Sequence, residues 1–141
     1  MNTSSLCAHN DYPNKHVCPV NGQVYASVNR RTVLHQVKIP WARQLPEQGY
    51  YFCTDPDCDV VYFGEDARVL MRDELRMPVG QKSSDPERPI CYCFDIRAVD
   101  VMAEGAGTAR QFVIDHTRDA SCDCEIRNPS GRCCLKDFSG Q

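Results

Sequence analysis

In the first half of the chain, apolar and polar residues alternate over short stretches, the period of two that belongs to strands. Gln23–Val28 and Arg31–Lys38 have β-branched, alternating character and are predicted strands. Tyr50–Cys53 and Val60–Phe63 form a second predicted pair. The spacer TDPDCD between them is turn chemistry, with Asp and Pro setting tight dihedrals. Residues 1–17 show no period and read as irregular. Arg68–Met77 fits both patterns, strand by its Val, Leu and Met and helix by its charges. Residues 78–89, PVGQKSSDPERP, carry three prolines and a glycine and read as a linker. Beyond them the period lengthens. Ile96, Val99, Met102 and Ala103 recur at helical spacing within Asp95–Glu104, and Gly105 and Gly107 end that helix. Thr108 and Gln111 have capping-box spacing. Ala109, Phe112, Val113 and His116 then line one face of a second helix that fades at 119–121. Asn128-Pro129-Ser130-Gly131 is a predicted turn, and Cys134–Phe138 begins a last short helix. The expected fold class is α+β: a small β domain over residues 1–80, then a small helical domain over 81–141.

The chain has 141 residues, enough for one ordinary domain or two very small ones. Two small halves would each have a thin core and need a staple. A bound metal is such a staple, because it holds ligands that the unfolded chain cannot preorganise. The formal net charge is −3 with no basic tail, so no nucleic-acid partner is expected. No apolar run approaches the length of a membrane span, so no direct membrane insertion is expected. The opening stretch MNTSSLCAHNDYPNKH has neither a charged n-region nor an apolar h-region, and no secretory signal is read there. The expected location is cytoplasmic, where thiols stay reduced and metals compete for them.

Ten cysteines fall into two blocks. Five disulfides in a secreted scaffold would need an export signal, and the CxC and CC clustering also opposes them. In the first block Cys18, Cys53 and Cys58 supply three thiolates from turns of the β unit, which has the look of a zinc knuckle. Structural zinc takes four protein ligands. The candidates for the fourth are Cys7, His9, His16 and His35, with Cys7 first because it is the softest. A three-ligand site would instead leave an open position that suits exchange with an incoming metal. The competing reading is a set of buried free thiols. Asp55, Asp57 and Asp59 crowd the Cys58 turn and read as turn solvation.

In the second block Cys91 and Cys93 sit in ICYCFD, and Cys122, Cys124, Cys133 and Cys134 in SCDCEIRNPSGRCCLKD. Four converging thiolates are what a [2Fe–2S] cluster needs. A CxC pair on a loop leading into a helix turns both thiols inward, where free N–H groups of the helix start can bond the cluster's sulfurs. Two more ligands must return from beyond the second helix. Cys133 and Cys134 are vicinal and diverge, so one of them is expected to ligate; Cys122 and Cys124 likewise offer one. Cys124 and Cys134, on either side of the NPSG turn, are the favoured pair. Arg127, Arg132 and Lys136 either offset the cluster's charge or are solvated loop charge.

The stretches FCTDPDCDVVYFG, ICYCFD and SCDCEIRNPSGRCCL resemble the N-terminal cluster-binding region of the archaeal copper chaperones called CopZ. The last half also resembles bacterioferritin-associated ferredoxins, which hold a [2Fe–2S] cluster in a helical hairpin that starts with CxC. The resemblance spans residues 18 to 138. It implies a zinc-binding first half, a [2Fe–2S] second half, and a role in copper handling with reduction of Cu(II) to Cu(I). Two departures stand out. The full chaperones continue into a copper-binding domain with an MxCxxC loop, which this sequence does not contain. The family tends toward a CPxCG first knuckle, and here Asn21 stands in place of its second cysteine.

The function expected from these features is a redox protein with one [2Fe–2S] cluster and one Zn(II), passing electrons to a redox partner protein or to a copper or heavy-metal ion. The alternative is a soft-metal carrier binding Cu(I) or Hg(II) through spare thiols such as Cys122, Cys133 and Cys7. Enzymatic turnover as a metal reductase, or a purely structural role for both centres, completes the range. No Ser-His-Asp set, Gly-rich phosphate loop or HExxH occurs. Trp41 and His116 read as packing residues, and Tyr50, Tyr51, Phe52, Tyr62 and Phe63 as an aromatic core.

Overall fold

A computed structural model describes residues 12–104, 106–119 and 123–138. Five antiparallel strands run in sequence order across one sheet: β1 (Lys15–Val17), β2 (Val24–Val28), β3 (Tyr50–Phe52), β4 (Val60–Gly64) and β5 (Val69–Met71). The β1 strand lies at the end of the stretch expected to be irregular, where it pairs Lys15 with Ala26 and Val17 with Val24. Alternation along β3 sends Tyr50 and Phe52 into one core cluster and Tyr51, with the adjoining Cys53, into another. A register shift between Val60 and Tyr62 lets the neighbours Val61 and Tyr62 join the same cluster as Tyr50. The sheet is therefore covered on both faces, which explains why all of β4 is buried.

One cover is a helix where a strand is predicted. Residues of the 31–38 stretch form α1 (Arg30–Gln36). Asn29 caps it by accepting a hydrogen bond from Arg31 N at 2.8 Å. Thr32, Val33 and Gln36 share its buried face, the i, i+3, i+4 spacing of a helix. The β-branched residues that suggest a strand are here packing residues, and tertiary burial overrides their propensity. Trp41 is a second correction: it is 83% exposed and packs in no core cluster.

The second half opens with a hairpin of β6 (Pro89–Cys91) and β7 (Ile96–Arg97), followed by α2 (Ala98–Glu104), α3 (Ala106–Arg118) and α4 (Cys124–Arg127). The first predicted helix thus starts three residues late, because Asp95 (φ +56°) turns the chain and Ile96 pairs with Cys91. Thr108 and Gln111 lie inside α3 rather than at its start, so no capping box forms, and Gln111 bonds Asp115 instead. Ile90, Ala98, Val101, Val113 and Phe138 make this half's core together with its cysteines. His116 is half-buried against the rings of Phe94 and Phe112. No described helix is long and apolar enough to cross a membrane.

Buried polar contacts join the two halves. Thr32 Oγ1 donates to Glu125 O at 2.6 Å, and Gln36 Nε2 donates to Ile126 O and Arg127 O at 2.8 and 2.9 Å. The side chains of α1 thereby satisfy carbonyls that the single-turn α4 leaves unpaired. Tyr62 OH donates to Pro129 O at 2.5 Å in a buried position. Burial pushes the Tyr62 phenol well above its ordinary pKa, so it stays a donor. Tyr62→Phe removes this donor and strands a buried carbonyl, which is expected to cost about 1–3 kcal/mol. Urea unfolding that leaves the midpoint where it was would contradict this.

Segment 78–89 packs against both halves. It holds a 3₁₀ turn at Gly80–Lys82, and Val79 and Lys82 are buried. A Cβ on Gly80 would collide with the carbonyl of Pro89, so this backbone approach requires glycine.

Candidate metal centres

Three chain turns build the first centre. Cys18 follows β1 and opens a turn in which Gly22 N returns to Cys18 O at 3.0 Å, with Gly22 at φ +78°. Cys53 directly follows β3 and is tied to β4 by Cys53 N to Val61 O at 2.8 Å. Cys58 closes the DPDC turn through its N–H to Asp55 O at 3.1 Å. All three are buried, and their sulfurs lie within 4.8 Å of one another. Single-ion coordination with Zn–S bonds of about 2.3 Å fits that spacing. Among the described residues no His, Asp or Glu joins this group. His35 is exposed on α1. His16 packs against Tyr51 with the rings tilted, and its Nδ1 accepts from Val17 N. Cys7 and His9 lie outside the described residues.

Asn21 sits beside this centre as a donor. Its Nδ2 lies 3.5 Å from Cys53 Sγ, 3.0 Å from Tyr25 OH and 3.1 Å from Asp55 Oδ2, while its Oδ1 accepts from Gln23 N. The amide oxygen is thus occupied by the backbone, and the amide N–H faces the thiol. Asp55 and Asp59 serve the turn and its surface, through Asp57 N and Arg72. One residue was invisible to sequence reasoning. Lys82, in the segment read as linker, is 2% exposed, and no pattern or spacing marks it. Its Nζ lies 2.7 Å from Asp55 O, 3.0 Å from Cys53 O and 3.6 Å from Cys53 Sγ. Burial opposes ionisation of Cys53 most strongly, yet the Asp55 N–H, the Lys82 ammonium and neighbouring side chains together hold its thiol below the ordinary value. Burial pushes the Cys58 thiol up.

The second group brings together four of the predicted cysteines. Cys91 ends β6, Cys93 lies in the β6–β7 hairpin turn, Cys124 opens α4, and Cys134 opens the last 3₁₀ turn. Cys93 Sγ and Cys124 Sγ are 3.7 Å apart. Cys134 interacts with both Cys124 and Cys91. These contacts link the sulfurs in a row, Cys93–Cys124–Cys134–Cys91. The sequence-based placement of the CxC pair at a helix start is corrected here. The donors to Cys91 are the N–H groups of Cys93 and Phe94 in the hairpin turn, and Asp123 N donates to Cys93 Sγ at 2.9 Å. The bond from Cys134, helped by those N–H groups against burial, lowers the Cys91 pKa to about 7. Burial is the main cause that lifts Cys93 to about 12. The bonds to Cys124 and Cys91 raise Cys134, with burial adding to them. Cys133 points to solvent, Arg127 and Arg132 are exposed, and Cys122 lies outside the described residues.

The antiparallel sheet, with three thiols gathered at one of its faces, defines a metal-binding domain. Residues 15–76 match the family model of the CopZ zinc-binding domain, described as "Zinc binding domain". Over 86 residues, 60% of this chain, the sequence is 33% identical to the copper chaperone CopZ of Archaeoglobus fulgidus. The chain spans 42% of that relative's length. The X-ray structure of the A. fulgidus CopZ N-terminal domain superposes with a TM-score of 0.69 at 29% identity, covering 89% of this chain and 96% of that one. The chain thus contains a CopZ-type N-terminal region with a zinc-binding domain.

Proposed function

We propose that this protein binds soft metals in copper handling, with Zn(II) held by Cys18, Cys53 and Cys58 in a domain of residues 1–80 and a second thiolate centre in 81–141. The observation that carries this reading is the gathering of three buried thiols within 4.8 Å at one sheet face. Thiolates select soft and borderline ions over hard ones, and exposed Cys133 adds a further soft donor. Copper enters through the relative described as a copper chaperone.

A second, redox reading rests on the sulfur row. A [2Fe–2S] cluster takes two protein sulfurs at each of two irons. Cys93 with Cys124 would serve one iron, and Cys91 with Cys134 the other. Turn N–H groups aimed at the sulfurs would stabilise the cluster's negative charge. A bound cluster, once reduced by a donor protein, would give up one electron and return to its oxidised state, the electron going to a partner protein or to Cu(II), which would become Cu(I). Oxygen-free purification followed by zinc, iron, sulfide and copper analysis tests both readings. About two irons and two sulfides per chain support the redox reading. A colourless, iron-free protein that takes up Cu(I) at the second centre leaves the carrier reading standing alone. A preparation that takes up neither zinc nor copper refutes the proposal.

A further inference from the structure

A lysine is among the side chains least often fully buried without an ionic partner. Lys82 is 2% exposed, and its ammonium ends at the first centre. An ammonium has three N–H donors and no acceptor. Cys53 O, Asp55 O and Cys53 Sγ are three acceptors for those donors. Two carbonyls solvate a cation but carry no charge. Burial lowers the Lys82 pKa, and the Cys53 and Cys58 thiolates act against that as its anionic partners.

Charge counting then gives the lysine a purpose. A divalent ion with three thiolates carries one net negative charge, buried beneath the sheet. The Lys82 cation cancels it, so a neutral donor in the fourth position leaves the centre neutral. A fourth thiolate would restore a negative charge in a site that excludes water, where it is costly. Asn21, where a fourth sulfur might have stood, turns an amide N–H toward Cys53 Sγ. Both neighbours thus stabilise negative sulfur without adding to the negative charge.

We propose that Lys82 is the positioning and charge-setting residue of the first centre, specifying a divalent ion held by three thiolates and a neutral fourth donor. This rests on the zinc reading given above. It also makes segment 78–89 part of the zinc site, since the lysine reaches the cysteines from there.

The test uses the full chain with Zn(II) and Co(II) as probes. Lys82→Gln keeps donors for the two carbonyls and removes the charge, while Lys82→Arg keeps the charge. Outer-shell substitutions of this kind cost about 10–100-fold in metal affinity. K82Q is expected to weaken zinc by that factor in competition with a chromophoric chelator, and K82R to recover most of it. In the Co(II) form, losing the cation raises the energy of the sulfur donor orbitals. The sulfur-to-cobalt charge-transfer band of K82Q should therefore move to lower energy, a shift that a purely structural lysine would not cause. If K82Q fails to fold, the K82R band position and affinity decide alone: values near wild type support the inference and values far from it overturn it. Equal zinc affinity and an unmoved band in K82Q would also overturn it. Wild-type protein that takes up no zinc would sink the zinc reading and this inference together.

Discussion

Cys53→Ser is expected to abolish stable zinc binding and unfold the face of the sheet that carries Tyr51, Val60 and Phe63. Cys53 is fully buried, and both Asn21 and Lys82 direct N–H groups at its sulfur. A structural zinc contributes about 10–16 kcal/mol of apparent binding energy in small zinc-dependent peptides. Small domains have net stabilities of about 5–15 kcal/mol, so losing even a few kcal/mol of metal binding removes most of the margin. The substitution also removes the sulfur that Lys82 and Asn21 share, leaving Lys82 only uncharged carbonyl acceptors. Zinc content and thermal unfolding of wild type and variant, each with and without a strong chelator, read the outcome. Chelator should lower the wild-type melting temperature sharply and change Cys53→Ser little. A variant that keeps one zinc per chain and its wild-type melting temperature would remove Cys53 from the centre.

The second large effect separates adjacent residues. Cys134→Ser should empty the second centre of its metal, whereas Cys133→Ser should leave its content unchanged. Cys134 is fully buried and bonded to two other thiols of the row, and Cys133 faces solvent. Iron, sulfide and copper per chain, measured after oxygen-free preparation, distinguish the two. Equal losses in both variants, or none in either, would show that the row is not the ligand set. Zinc content should stay constant in both, because none of the three cysteines of the first centre belongs to the row.

Much of the strand pattern was legible because period-two alternation survives burial. Residues 24–28, 50–52 and 60–64 are strands within a residue or so of their expected bounds. Arg31–Lys38 reads as a strand because Thr32, Val33 and Val37 are β-branched, while the deciding facts are the Asn29 cap and the contacts to α4. Sequence spacing puts the CxC pair at a helix start because Ile96, Val99 and Met102 have helical spacing. The turn at Asp95 and the pairing of Ile96 with Cys91 make it a hairpin instead. Spacing alone did not choose among four cysteines at the C-terminal end. The structure places Cys124 and Cys134 beside Cys91 and Cys93 and turns Cys133 away.

The chemistry on offer is written along the chain: thiols in two blocks, turns to carry them, and a sheet to anchor the first. These follow from residue type and local period, which the chain carries wherever it goes. Which sulfurs meet is set by packing, which also brings a cation from residue 82 to the thiol of residue 53. Convergence of this kind depends on how distant segments pack, and burial gives Lys82 its weight by removing the water that would otherwise screen it.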